Sequence, residues 1–113
     1  MKIITEPTSL KELWNKREVK FEDMMKLTVD VEQEIVAADA ELHADLEALL
    51  LGNGSRQYDI WGINIYPDKG EDDYIEYTAL INIRPSQNNR SMEVEDSFAR
   101  SKIREICARL LQR

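Results

Sequence analysis

Most of the side chains that could bind an anion lie in one polar run, residues 84–91. The run follows a strand pattern in which the apolar Ile81 and Ile83 alternate with polar residues. Guanidinium groups pair well with carboxylate and phosphate oxygens, and a donor-rich loop between a strand end and a helix start suits an anion. The pattern predicts an anionic ligand, or the carboxylate of an acidic partner, bound by Asn64, Asn82, Arg84, Ser86, Gln87, Asn88, Asn89 and Arg90.

The same run also has a purely structural interpretation. It has no glycine that would let the backbone wrap around a phosphate, and it does not match a P-loop. Pro85 has no N–H group and biases Arg84 towards an extended conformation, so the strand is predicted to end near Arg84. In this interpretation the run is a self-hydrogen-bonded connection to the last helix.

A second group of candidate residues surrounds His43, the only histidine. Glu41 and Asp45 flank it at two-residue spacing. A histidine beside a carboxylate can act as a general base, so one hypothesis is a small hydrolase-like enzyme with His43, Glu41 and Asp45 as candidate catalytic residues. Arg84 or Asn64 would then meet the charge of the substrate. The structural alternative is that His43 and Asp45 only cap a short helix.

No metal site and no cofactor are predicted. A hydrolytic metal site at His43 would need further ligands, such as Asp30 or Glu32 from a facing strand. The chain contains neither an H-E-x-x-H nor a G-x-S-x-G motif. Cys107 stands among apolar residues, which favours a small core residue over a nucleophile.

Length and composition predict a single soluble domain, residues 1–113. Hydrophobic residues make up 42% of the chain, which excludes a disordered protein. The 22 acidic residues against 15 basic ones give a net charge of −7, so nucleic acid is not an expected partner. No apolar run approaches the ~18 residues of a membrane span. The unpaired Cys107 favours a reducing, cytoplasmic location.

Hydrophobic periodicity predicts five strands and three helices. The period of two predicts strands at residues 2–5, 24–32, 35–38, 58–66 and 74–84. Residues 32–41 also have a helical alternative, because the region is rich in Glu and Ala, but its β-branched residues favour a strand. The first helix is predicted at residues 10–20 behind a capping box, Ser9 and Glu12, and a short second helix ends before Gly52. The third helix starts at the N-cap Asp96, with an apolar stripe of Phe98, Ala99, Ile103, Ile106, Cys107, Leu110 and Leu111.

These elements predict an α+β fold in the order β-α-β-β-α-β-β-α. The economical packing is a two-layer sandwich, with a mainly antiparallel sheet of about five strands and three helices on one face. The other face would carry Thr28, Asp30, Glu32, Asn64, Tyr66, Thr78, Asn82 and Arg84. Leu80, Ile60 and Tyr66 make that face more apolar than solvent requires. A third hypothesis is therefore a homodimer or a partner-docking protein that uses this face.

Several runs resemble an uncharacterised family of small prokaryotic proteins, catalogued as a domain of unknown function. The likeness covers residues 2–111, and its most specific part is the run Ile-Asn-Ile-Arg-Pro-Ser-Gln at residues 81–87, continued by Asn-Arg-Ser at 89–91. Shorter matches are Asp-Val-Glu at 30–32, Glu-Leu-His-Ala-Asp at 41–45, and Trp-Gly-Ile-Asn at 61–64 with Tyr-Pro at 66–67. The resemblance implies no activity. Function is predicted only as a small binding or interaction module, with the enzyme and the homodimer as alternatives.

Overall fold

Alternating apolar residues form the two longest strands, which lie side by side in an antiparallel sheet. The computed structural model describes residues 1–113. The five strands of the sheet are β1 (Lys2–Ile4), β3 (Met25–Asp30), β4 (Ile35–Ala38), β5 (Ile60–Ile65) and β6 (Ile75–Glu76), in the spatial order β1-β4-β3-β5-β6. Two short strands, β2 (Thr8–Ser9) and β7 (Leu111–Gln112), form a separate parallel pair. The predicted α+β class and the mainly antiparallel sheet are confirmed.

Three α-helices pack against the sheet: α1 (Leu10–Asn15), α2 (His43–Gly52) and α3 (Ser97–Leu110). Both helix starts with a predicted cap are confirmed. Ser9 Oγ accepts the N–H of Glu12 at 3.2 Å, and the Asp96 carboxylate accepts the N–H of Phe98 at 2.9 Å. Phe98 itself is 79% exposed and does not belong to the apolar stripe of α3. None of the helices has the length and hydrophobicity needed to cross a membrane.

Helices cover both faces of the sheet, so the placement of all three on one face is wrong. The larger core lies between the sheet and α1 with α3, and it includes Leu13, Val36 and Ile103. A second core, with Ala37 and Leu46, lies under α2 on the opposite face. The physical reason is that β4 is apolar on both sides, so each side needs its own cover. The fold therefore has three layers around the central strands.

The predicted strand at 74–84 forms only over its first residues. The chain leaves the sheet after β6, and the backbone of Ala79 pairs with Met92 through the bond from Ala79 N to Met92 O, 3.1 Å. A 3₁₀ turn, Leu80–Asn82, follows. Tyr77 packs against the larger core and Ile81 against the second, so the alternating pattern serves two different cores.

The first helix ends five residues earlier than predicted. After Asn15 the side chain of Arg17 folds back, donates to the carbonyl oxygen of Trp14 at 2.8 Å and stacks 3.5 Å from the centre of its ring. Arg17 also donates to the carbonyl oxygen of Phe21 at 3.1 Å. The bond to Trp14 satisfies a carbonyl group that a longer helix would have bonded itself.

Candidate functional site: the His43 groove

A concavity lined mostly by apolar residues opens beside His43, and we call it the His43 groove. Its walls are the first turn of α2, residues 42–44, together with residues 78–81 and Met92. Met24, just before β3, and Lys26 of β3 border it, and Asn64 of β5 completes it. Its volume is about 490 Å³. Concavities of roughly 300–1,000 Å³ with mostly apolar walls and a few polar groups are typical of small-molecule sites.

Gly62 makes the groove possible because it leaves space above β5. A Cβ atom at this position would lie 2.5 Å from Cβ of Ala79 and 3.2 Å from Cδ2 of His43. The absence of a side chain thus lets both the imidazole ring and the chain at Ala79 approach the strand backbone closely. The same glycine interrupts the alternation of large side chains on this face of β5 and fixes where His43 rests.

The His43 ring has a fixed tautomer. Its Nε2 atom lies 2.8 Å from the carbonyl oxygen of Ile63. A carbonyl oxygen only accepts, so in the neutral ring the proton is on Nε2 and the lone pair is on Nδ1. Nδ1 makes no hydrogen bond within the chain and is not among the buried orphan atoms. The groove therefore contains an accessible hydrogen-bond acceptor.

Burial lowers the pKa of His43 below its ordinary value. The hydrogen bond to Ile63 opposes the shift, and the charge of Lys26 reinforces it. Two weaker influences raise the pKa: a side-chain hydrogen bond that Asn64 can accept from the protonated ring, and the negative charge of Glu76. Because the pKa is lowered overall, the ring is neutral at pH 7 and its Nδ1 atom can accept.

Asn64 provides a second acceptor without a donor. Its Nδ2 group donates to Oε1 of Glu76 at 2.7 Å and to the carbonyl oxygen of Thr78 at 3.3 Å. These bonds fix the amide orientation and leave Oδ1 buried with no partner. Buried amide oxygens normally accept at least one hydrogen bond. The unpaired acceptor of Asn64 and Nδ1 of His43 belong to residues that both line the groove, and we call this part its polar end.

The carboxylates predicted to act with His43 do not contact its ring. Glu41 and Asp45 are both exposed, and neither hydrogen-bonds to the imidazole. The carboxylate whose charge influences the pKa of His43 is Glu76, from β6. His43 and Asp45 do not cap α2 either, because its N-cap is Leu42, which makes no side-chain capping bond.

No group of three or more His, Cys, Asp or Glu side chains is arranged to hold a metal ion. Asp30, considered above as a further ligand for His43, instead accepts the backbone N–H groups of Glu32 and Gln33 at 2.9 Å each. It also accepts the hydroxyl of Ser55 at 2.5 Å. Its carboxylate closes the turn after β3 and is not part of the groove.

Arg84 lies on the same side of the molecule as His43, but it is already paired. Its Nη2 atom lies 3.1 Å from Oε2 of Glu47, which follows His43 by one turn of α2. The guanidinium centre is 5.2 Å from the centre of the Trp61 ring. Only 9% of the Arg84 side chain is exposed. Desolvation lowers the pKa of Arg84, and the carboxylate of Glu47 opposes that shift.

Asn82 and Asn89 hold the polar run together from inside. The Asn82 amide accepts the N–H of Gly62 at 2.8 Å and donates to the carbonyl oxygen of Gly62 at 2.9 Å, so it continues the sheet edge where β6 stops. The Asn89 amide donates to the carbonyl oxygens of Asn82 and Glu93 and accepts the N–H of Glu95. Both residues are buried and engaged within the chain.

The outer part of the run is exposed. Ser86, Asn88 and Arg90 face solvent, and Asn88 has a left-handed conformation with φ of 59°. Gln87 donates to the carbonyl oxygen of Tyr58 at 3.0 Å. The Glu95 carboxylate accepts three bonds from Arg90 and Ser91, and these bonds lower the pKa of Glu95. The exposed donors of the run are therefore few, and its backbone is fixed by internal bonds.

Comparison with known protein families assigns the chain to a family. A family model described as "Protein of unknown function (DUF5674)" matches residues 2–110. The chain belongs to the DUF5674 family. This confirms the resemblance seen in the sequence runs, and it carries no activity with it. No curated protein and no solved structure matches the chain.

In this DUF5674 chain, sequence reasoning missed the apolar walls of the groove. Leu42, Leu80 and Met92 are exposed by 57%, 71% and 40% although they are large and hydrophobic. They come from three separate segments, so no periodic pattern connects them. One sequence feature did point to this surface: the strand pattern at 74–84 placed the apolar Leu80 on the sheet face predicted to lie away from the helices. His43 and Asn64 were both selected from the sequence, but for different chemistry.

Proposed function

We propose that this protein is a binding module that takes one small, mainly apolar molecule in the His43 groove. The observation that carries the proposal is the unpaired Oδ1 of Asn64 at the polar end of an apolar concavity of about 490 Å³. Apolar walls supply most of the affinity for small ligands, and a few convergent polar groups orient them. The exposed Leu42, Leu80 and Met92 would lose water on binding.

The two other functions predicted from the sequence have weaker support. An anion at residues 84–91 would have only the exposed guanidinium of Arg90, because that of Arg84 already pairs with Glu47. A hydrolase would need a nucleophile or an activated water beside His43. The nearest hydroxyl in the groove, that of Thr78, donates to Oε2 of Glu93 at 2.8 Å. A general base at Nδ1 would therefore have no nucleophile to activate.

The test is to fill the groove from its solvent side. Ala44 is exposed and lines the groove, so Ala44→Trp places a large ring in the space without changing a core residue. Ala48→Trp, one turn later on the exposed side of α2, is the matched control. Binding of indole and benzyl alcohol is measured by ligand-observed NMR. We expect binding to wild type and Ala48→Trp and its loss in Ala44→Trp.

Two results would contradict the proposal. Binding that survives in Ala44→Trp would put the ligand elsewhere, and no binding by wild type at millimolar fragment would leave the groove without a small ligand. A second copy of the chain is another occupant that the exposed Leu80 would suit. In that case wild type sediments as a dimer at tens of micromolar and Leu80→Lys as a monomer.

A further inference from the structure

The two acceptors at the polar end of the His43 groove have no donor between them. Nδ1 of His43 holds its lone pair because Nε2 donates to the carbonyl oxygen of Ile63. Oδ1 of Asn64 is buried without a partner, and the Nδ2 group that could have turned towards His43 is held by Glu76 and Thr78. While the His43 ring is neutral, no N–H or O–H group of the chain donates to either atom.

We propose that the ligand of the groove is a neutral molecule with an apolar body and one hydroxyl or N–H donor, which it presents to Nδ1 of His43. This inference rests on the proposed function and adds the chemical class of the ligand. An acceptor that loses water on binding must regain a donor, so ligands without one are disfavoured. The Oδ1 atom of Asn64 adds a second acceptor behind the first.

Charges around the ring favour a neutral ligand over a charged one. Lys26 reaches the groove from β3, and its Nζ donates to the carbonyl oxygen of Glu41 at 2.8 Å. Glu76 lies on the other side, on β6, and accepts from Asn64 and Tyr66. Because these two opposite charges flank the same ring, neither a cationic nor an anionic ligand gains a net electrostatic attraction there.

The proposal also gives binding a direction with pH. When the ring is protonated, Nδ1 becomes a donor and can no longer accept from the ligand. The lowered pKa of His43 keeps the ring neutral at pH 7 and puts this loss on the acidic side of its ordinary value. A ligand without a donor makes no hydrogen bond to Nδ1, so its binding should not follow the same pH dependence.

The experiment uses indole and 1-methylindole, in which a methyl group replaces the hydrogen of the donor N–H. Dissociation constants are measured on wild type by NMR titration at pH 7.5 and at successively lower pH. The ring signals of His43 report its protonation, and ¹H–¹⁵N spectra at each pH show that the fold is kept. We expect indole to bind about tenfold more tightly than 1-methylindole at pH 7.5, the effect of one hydrogen bond. That preference should shrink as the His43 ring becomes protonated.

His43→Phe provides a second readout, since it keeps an aromatic ring and removes the acceptor. It should bind the two indoles equally. Equal binding by wild type at pH 7.5, with loss in Ala44→Trp, would overturn the donor class and leave the groove as a binding site. Failure of both probes to bind wild type would overturn the inference together with the proposed function.

Discussion

Single residues in this protein show how one hydrogen bond decides what a side chain can do. The carbonyl oxygen of Ile63 fixes the proton of His43 on Nε2 and turns Nδ1 into an acceptor. The sequence identified His43 by its type, but a spacing of two residues to Glu41 and Asp45 could not predict the ring's partner. That partner lies 20 positions away in sequence and belongs to another strand.

Arg84 is a second residue whose partner could not be predicted from the sequence. Its position after a strand and before a polar loop predicts a free guanidinium, and residue type alone gives no sign of Glu47, 37 positions earlier. An arginine that is 8% exposed stabilises the fold through its ion pair and its contact with Trp61. Removing one partner of such a pair leaves the other charge poorly solvated.

Arg84→Ala is therefore expected to destabilise the protein by about 2 kcal/mol, because the Glu47 carboxylate loses its partner while 14% exposed. Arg90→Ala is the control, since Arg90 is exposed and should change the free energy of unfolding by less than about 0.5 kcal/mol. Urea denaturation measures both. Equal, small losses would mean that Arg84 is free to meet a ligand.

At the scale of elements, the sheet edge explains why the last strand pattern was misleading. β6 has two residues, and the side chain of Asn82 then bonds both backbone groups of Gly62 in place of a strand. The apolar residues at 74–84 alternate because they are buried on alternate sides of the chain. An extended segment that crosses from one core to the other gives this pattern without being a strand. The central strands β3 and β5 could be predicted because both of their neighbours are strands.

The close contact at Gly62 gives an element-scale prediction. Gly62→Ala adds a Cβ within 2.5 Å of Ala79, so residues 79–82 must move away from β5, and we expect a loss of about 1–3 kcal/mol in the free energy of unfolding. Gly70→Ala is the matched control, because nothing lies within 4 Å of its added Cβ. Denaturant titrations of both variants check this. A Gly62→Ala variant as stable as the Gly70→Ala control would show that the segment is not packed against the strand.

At the scale of the whole molecule, the sequence predicted the class of fold but not its layering. The five strands of the main sheet and the three helices were predicted from sequence patterns, but the ends of the first helix and the fifth strand and the short pair β2 and β7 were not. The position of α2 was not predicted either, because Leu46, Leu49, Leu50 and Leu51 occupy successive directions around a short helix. Its location on the second face follows from β4, whose Ile35 and Ala37 need their own cover.

That layering also changes the surface available to a partner. The sheet face expected to form a homodimer is covered by α2 and residues 79–92, and Ile60 and Thr28 on it are fully buried. Of the apolar residues of the expected interface, only Leu80 remains strongly exposed, at the rim of the groove. The apolar surface that an exposed sheet would have offered is reduced to a concavity that suits a small molecule.

The central claim, a ligand in the His43 groove, can be tested through the four methionines of the chain. Met24 and Met92 line the groove, whereas Met1 lies at another concavity and Met25 belongs to the larger core. With ¹³C-labelled methionine methyl groups, each residue gives one NMR signal. Addition of indole at pH 7.5 is predicted to shift the signals of Met24 and Met92 and to leave those of Met1 and Met25 in place. Shifts confined to Met1 or Met25, or no shift at any methionine, would contradict the account.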